Sequence, residues 1–260
     1  MSIKLIATDM DGTLLNSKKE LPADFEQWVI NNPDKRVVIA SGRQFYTLRR
    51  DLGFLEKHLI FIAENGGVVF DDGQIIYYNE MDSEYVRACF EIFDRNPVIR
   101  PVICGLNSAY MINPTDEDMA NAGIYYANLK VVNKLEEALR SDTIVKLAIY
   151  VADQKADEKL VLFEGLKDRI DVVLSGVKWI DFANYSANKG NALKAIMERY
   201  GIDRSETMAF GDYLNDYSLL ESCEESYCMA NGHPKLKAIA KYIARSNDED
   251  GVMDVLRGLK

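Results

Sequence analysis

Thr8-Asp9-Met10-Asp11-Gly12-Thr13-Leu14-Leu15 follows Ile3-Lys4-Leu5-Ile6-Ala7, a short and mostly apolar run that ends in two acids. A buried parallel strand reads this way, because both of its faces are covered, and it delivers its carboxyl end to the edge of the sheet. Residues two apart on an extended strand share a side, so Asp9 and Asp11 are expected together, and Gly12 lets the chain leave in a conformation that other residues resist. Two carboxylates that close repel unless one is protonated or a cation lies between them, which suggests metal-dependent chemistry or proton transfer. An ordinary Asp-Gly turn explains the same letters without any chemistry, so the rest of the chain has to decide.

The chain of 260 residues exceeds the common single-domain size, and 48% hydrophobic residues suffice for a substantial core. A formal net charge of -10 removes the basic surface that nucleic acid or an anionic membrane requires, so neither is expected as a partner. Any phosphate must then be met locally, by a few cations, amides or a metal. The sequence contains no signal-peptide hydrophobic region and no apolar run long enough to span a bilayer, and a cytoplasmic location is expected. Cys89, Cys104, Cys223 and Cys228 form no C-x-x-C and read as reduced, buried thiols; Cys223, Cys228 and His233 fit no common zinc spacing.

After the first strand, Pro22 to Asn31 reads as a helix, and Arg36-Val37-Val38-Ile39-Ala40 as a second strand ending in Ser41-Gly42-Arg43. Ser41 is expected to cap a helix through Leu52, either simply as a cap or as an anion site at a helix start. Leu59 to Ala63 is a third strand closed by Glu64-Asn65-Gly66-Gly67, and Asp71-Asp72-Gly73 joins a hairpin of Val68 to Phe70 and Gln74 to Tyr78. From about Asp82 the rhythm changes. Helices are expected over Glu84 to Arg95, Thr115 to Asn128 and Gln154 to Leu166, with strands at Val98 to Cys104, Ala109 to Ile112, Ile144 to Val151, Asp171 to Leu174 and Lys178 to Phe182. This is the pattern of an inserted α+β domain with an antiparallel sheet. The α/β rhythm resumes at Ser186: Asn188-Lys189-Gly190 opens a helix to Tyr200, and Thr207 to Phe210 is a strand followed by Gly211-Asp212-Tyr213-Leu214-Asn215-Asp216. A helix to about Ser222, a strand Ser226 to Met229, a helix Pro234 to Ala240, a strand Tyr242 to Ala244 and a helix from Asp250 to Leu259 complete the chain.

Open parallel sheets bind ligands at the carboxyl ends of their strands. Those ends, with one helix start, carry Asp9 and Asp11, Ser41, Lys189, and then Asp212, Asn215 and Asp216. Acids for a divalent cation, a hydroxyl and an ammonium for phosphoryl oxygens, and a carboxylate able to attack phosphorus make a phosphoryl-transfer site. The ordered elements Asp9-Met10-Asp11-Gly12-Thr13, Ser41-Gly42-Arg43, Lys189-Gly190 and Gly211-Asp212-x-x-Asn215-Asp216 resemble the haloacid dehalogenase superfamily of phosphatases. The insert between the second and third elements resembles the Cof-type branch, and Asn65-Gly66-Gly67 and the tail from Asn231-Gly232 to Val252 match more weakly.

The resemblance implies an α/β fold with a discontinuous, Rossmann-like parallel-sheet core over 1–81 and 185–260, and an α+β cap over 82–184 that sets substrate specificity. It implies Mg²⁺-dependent hydrolysis of a small phosphorylated metabolite, such as a sugar phosphate, through an aspartyl-phosphate. Asp9 would be the nucleophile, and Asp11 the acid for the leaving alcohol and then the base for water. Ser41, Gly42, Lys189 and Asn215 would hold the phosphate. Mg²⁺ would be bound by Asp9, the Asp11 backbone carbonyl and Asp212, with Asp216 supporting the metal shell. Each residue has a plainer reading too: Lys189 as a solvated helix residue, Asp212 and Asp216 as turn formers, Arg43 as a surface residue. Tyr125, Tyr126 and Trp179 line either a pocket in the insert or its core, and His58 and His233 lie off the strand-tip set. A phosphosugar mutase and a non-hydrolytic phospho-accepting signalling module are the rival readings. The expected assembly is a monomer or a homodimer.

Overall fold

Leu5–Thr8 (β1), Arg36–Ala40 (β2) and Leu59–Ala63 (β3) are runs buried almost throughout, and they lie side by side as parallel strands. A computed structural model describes residues 2–176 and 178–259 of the chain. Phe25–Asn31 (α1) and Phe45–Leu52 (α2) fill the connections between these strands, and Val68–Asp71 (β4) and Gln74–Tyr78 (β5) add the expected hairpin. Asp72 and Gly73 turn that hairpin with φ of 45° and 71°, the left-handed values that a tight turn between strands requires. Two expected helices start late. The first begins at Phe25 rather than Pro22, and α2 begins at Phe45 with Gln44 at its cap position. Ser41 therefore caps no helix; its Oγ accepts the Arg43 N–H at 3.2 Å and closes a tight turn.

By compactness the chain forms two units, Met1–Phe45, Asp51–Tyr77 and Asn188–Lys260 in one, and Tyr46–Arg50 with Tyr78–Ala187 in the other. The second unit is a sheet with helices on its faces: Ser83–Phe93 (α3), Ile99–Gly105 (β6), Ala109–Ile112 (β7), Asp116–Gly123 (α4), Leu129–Val132 (β8), Leu135–Ser141 (α5), Ile144–Val151 (β9), Ala156–Lys159 (α6), Asp171–Gly176 (β10) and Trp179–Ala183 (β11). Its six strands run in the order β10-β11-β9-β6-β7-β8. Thr115 and Asp118 form the capping box of α4. That helix stops at Gly123, well short of Asn128, and the chain returns as β8, which pairs parallel to β7. The sheet is thus mixed rather than wholly antiparallel. Neither β8 nor α5 is legible in the sequence, because four half-exposed residues and seven helical ones carry too little periodicity. Phe90, Phe93, Phe163 and Phe182 pack edge to face on one side of the sheet. On the other side Tyr126 is buried, whereas Tyr125 is half exposed and meets Trp179 edge-on at 5.3 Å.

In the first unit the chain continues with Lys189–Tyr200 (α7), Thr207–Gly211 (β12), Tyr217–Glu221 (α8), Glu225–Met229 (β13), Pro234–Lys237 (α9), Tyr242–Ala244 (β14) and Gly251–Arg257 (α10). Its eight-stranded sheet has the order β14-β13-β12-β1-β2-β3-β4-β5, parallel from β14 to β3. Ala192, Leu193 and Ile196 of α7 and Leu219 and Leu220 of α8 close over Leu5, Ala7, Val38 and Ala209. Successive connections leave β1 toward β2 on one side, while the returning chain inserts β12 on the other. That reversal opens a crevice at the carboxyl ends of β1 and β12, where the doubly wound architecture binds its ligands. No helix among the described residues is long and apolar enough to cross a membrane.

Candidate active site

Asp9 leaves the end of β1 and Asp212 leaves the end of its neighbour β12, the two strands being tied at their tips by Asp9 N–H donating to the Phe210 carbonyl at 3.0 Å. Between these tips lies Lys189, the first residue of α7, with no exposed surface. A buried ammonium is costly unless paired. Lys189 Nζ donates to Asp9 Oδ1 and to Asp216 Oδ1, each at 2.6 Å, so it is not the solvated helix lysine of the plainer reading.

Asp216 is equally buried. Its Oδ2 accepts the backbone N–H groups of Asp212 and Tyr213 at 3.0 and 3.2 Å, so both carboxylate oxygens are engaged, one by the lysine and one by the loop it folds. Asp212 Oδ1 accepts the Thr13 hydroxyl at 3.0 Å. Asp9 Oδ2 and Asp212 Oδ2 have no hydrogen-bond partner among the described residues. Gly12 is obligatory beside them. Its φ is +88°, and a Cβ there would lie 2.5 Å from Asp212 Oδ2.

Crowding shifts these acids. Burial pushes Asp9 up to about 7, with the Asp216 and Asp212 charges adding to the rise and Lys189 opposing it. Burial, then the Asp216 charge, pushes Asp212 up to about 6, against the Thr13 hydrogen bond and Lys189. Burial alone would lower Lys189, but the Asp216 and Asp9 carboxylates outweigh it and raise its pKa. Three carboxylates crowd one ammonium that bonds two of them, and oxygens of Asp9, Asp212 and Asp216 lie within 4.8 Å of one another. Hard oxygen donors with excess negative charge, Asp212 Oδ2 unengaged among them, fit a divalent cation such as Mg²⁺.

The side chain of Asp11 lies outside this triad. Arg43 donates to it twice, Nη2 to Oδ1 at 2.7 Å and Nε to Oδ2 at 2.8 Å, and Lys19 Nζ donates to Oδ1 at 2.8 Å. Arg43 also holds Asp51 at 2.8 Å, so it is a partner of the site rather than a surface residue. Ser41, 2% exposed at the end of β2, and Gly42 form the next loop. Asn215 Nδ2 reaches that region by donating to Asn65 Oδ1 at 3.2 Å.

Asn65 is not among the residues expected in the site, although the Asn-Gly-Gly after β3 is its signal. Nor are Asn231 and Asn247. Asn231 Nδ2 donates to the Gly12 carbonyl at 2.8 Å, and Asn247 Nδ2 to the Leu15 carbonyl at 2.9 Å, which brace the loop after β1 from the C-terminal part of the chain. His233 caps α9 by accepting the Lys235 N–H at 3.1 Å. Cys223 and Cys228 are buried thiols, pushed up to about 12 and about 11 by burial, which suits apolar packing.

Residues 6–256 match the family model for haloacid dehalogenase-like hydrolases. The chain is 33% identical over 263 residues to the 5-amino-6-(5-phospho-D-ribitylamino)uracil phosphatase YbjI of Escherichia coli, covering 98% of this chain and 96% of the relative. It is 26% identical to the phosphatase YwpJ of Bacillus subtilis, over 99% of this chain and 100% of the relative. Among solved structures, SMU.1108c from Streptococcus mutans superposes with a TM-score of 0.84 at 29% identity, over 99% of this chain and 98% of that one.

Proposed function

The chain belongs to the haloacid dehalogenase-like hydrolases as a phosphatase of their Cof-type branch, and from that premise we propose that it hydrolyses the phosphoric monoester of a small metabolite through an aspartyl-phosphate on Asp9, with Mg²⁺ as cofactor. The observation that carries this reading is the state of Asp9: Oδ1 is held by the buried Lys189, while Oδ2 is unengaged among the described residues at a strand tip. A carboxylate fixed by one oxygen presents the other to an incoming phosphorus.

Asp9 Oδ2 attacks phosphorus as the bond to the leaving oxygen breaks, and Asp11 passes its proton to that oxygen. Asp11, now the carboxylate, takes a proton from the water that attacks the phosphoryl group, and the Asp9–phosphorus bond breaks to release phosphate. Because Arg43 and Lys19 hold Asp11 as the carboxylate, its acid role requires those bonds to open when substrate binds. Ser41, the Gly42 amide, Lys189 and Asn215 orient the phosphoryl oxygens. Asp9, Asp212 and the Asp11 backbone carbonyl would hold Mg²⁺, which when bound supplies positive charge against the phosphoryl oxygens. Asp216 serves by fixing Lys189 and the Asp212 loop.

Residues 82–184 are assigned to choosing the substrate, with 1–81 and 185–260 doing the chemistry. A phosphorylated sugar or polyol is the substrate class favoured, since one relative is named for a phosphoribityl ester. Phosphate release across a panel of phosphorylated metabolites, together with rapid-quench mass spectrometry of Asp9, tests the reading. Turnover without any covalent adduct on Asp9 would overturn it.

A further inference from the structure

Glu64, Asn65 and Gly66 follow β3 with φ of 51°, 55° and 103°, three consecutive left-handed residues of which only the last is glycine. Side chains resist this region, so such a run persists only where its surroundings hold it, and it clusters at functional sites. Here the backbone is tied to the loop after β2: Glu64 N–H donates to the Arg43 carbonyl and Asn65 N–H to the Ser41 carbonyl, each at 3.0 Å. Gly66 lies against the start of α7. A Cβ on it would fall 2.3 Å from the Asn188 carbonyl carbon and 2.9 Å from Lys189 N. The same short segment thus touches the Ser41 loop and the residue that positions the buried lysine.

Its side chain completes the set. Asn65 Oδ1 accepts from Asn215 Nδ2 at 3.2 Å, across 150 residues of chain. The Asn65 amide also lies close to Gly42, where a Cβ would come within 3.0 Å of Nδ2 and 3.1 Å of Oδ1. We propose that Asn65 is a positioning residue of the phosphate pocket, its strained backbone retained so that one amide can hold Asn215 and the Ser41-Gly42 turn in register with Lys189. This rests on the phosphatase reading above, which gives Ser41, Gly42 and Asn215 to the phosphate. Asn65 acts through those residues and itself makes no contact with phosphorus.

Asparagine is also the side chain that best tolerates a left-handed φ, so a purely conformational role must be told apart from a positioning one. Asn65→Gly separates them, since glycine accepts φ of 55° without strain but has no amide. Three readouts are needed: kcat/KM with p-nitrophenyl phosphate, the inhibition constant of inorganic phosphate, and Tm. Positioning requires Tm at or above wild type, with kcat/KM reduced and phosphate inhibition weakened by about tenfold, the order expected for loss of one hydrogen bond near a charged ligand. Asn65→Asp keeps the shape and the acceptor but loses the donor and adds charge, and should weaken phosphate inhibition further. Losses in Asn65→Gly and Asn215→Ala should not add, because the first acts through the second. Phosphate inhibition within twofold of wild type in both Asn65 variants, or full additivity with Asn215→Ala, overturns the inference while leaving the phosphatase reading intact. A wild-type protein without phosphatase activity or phosphate inhibition overturns both.

Discussion

Arg43 and Asp11 meet through two parallel hydrogen bonds of 2.7 and 2.8 Å, a fork on a carboxylate across 32 residues of chain. Burial alone would raise the Asp11 carboxyl, but the hydrogen bonds from Arg43 and Lys19 outweigh it and hold it below its usual range. Replacing Arg43 by Met removes the larger of those two supports, so Asp11 keeps its proton to higher pH. The alkaline limb of kcat/KM for an alkyl phosphate, whose leaving oxygen needs that proton, is expected to move upward. A pH–rate profile with limbs unchanged from wild type would separate Asp11 from the acid step.

The two acids after β1 should fail differently. Asp9→Asn retains shape but no nucleophile, so no covalent species forms. Asp11→Asn slows hydrolysis more than attack when the leaving group is good, and the phosphoryl group should accumulate on Asp9. Rapid-quench mass spectrometry with p-nitrophenyl phosphate reads both outcomes, and substantial turnover by Asp9→Asn would contradict the assignment.

Cation affinity should depend on pH in a defined direction. Asp9 and Asp212, raised from 3.8 to about 7 and about 6, bind protons in the metal-free folded state that the unfolded chain has already released. Their contribution to stability is complete below the ordinary carboxylate pKa and is lost as pH rises through 6 and 7, so the metal-stripped protein should weaken over that window. Mg²⁺ must displace the same protons. The rise in Tm that Mg²⁺ produces should therefore grow from about pH 5 to about pH 8 and disappear with EDTA.

Lys189→Met leaves the buried carboxylates of Asp9 and Asp216 facing each other without the ammonium that now holds both at 2.6 Å. A loss of about 3–5 kcal/mol is expected at alkaline pH, the usual cost of stranding a buried charge. The loss should shrink as pH falls, because Asp9, no longer held down by the ammonium, then takes up a proton. Denaturant unfolding at two pH values checks this, and a pH-independent loss would argue against it.

Exchanging residues 82–184 for the matching stretch of a related phosphatase should shift preference across a panel of phosphorylated metabolites. Turnover of p-nitrophenyl phosphate, which offers little to recognise, should change far less. An unaltered preference would remove substrate choice from this unit.

The positions that meet at the candidate site are legible in the amino-acid order alone, because a buried parallel strand must be a continuous apolar run, and such a run makes its end conspicuous. Leu5–Thr8 points to Asp9 and Thr207–Gly211 to Asp212, and Asn188 marks the start of the helix that carries Lys189. The parallel α/β class follows from the same runs. What the tertiary structure alone decided are pairings between distant positions: Lys189 shared by Asp9 and Asp216, Arg43 closed on Asp11, and Asn65 carrying Asn215. It also decided that Asp216 spends both oxygens on positioning, and that Ser41 turns the chain four residues before a helix begins. Periodicity and capping report on neighbours within a turn or a strand. A side chain's partner depends on where the chain returns, and a strained φ such as that of Asn65 is set by contacts that hold it from outside its own segment.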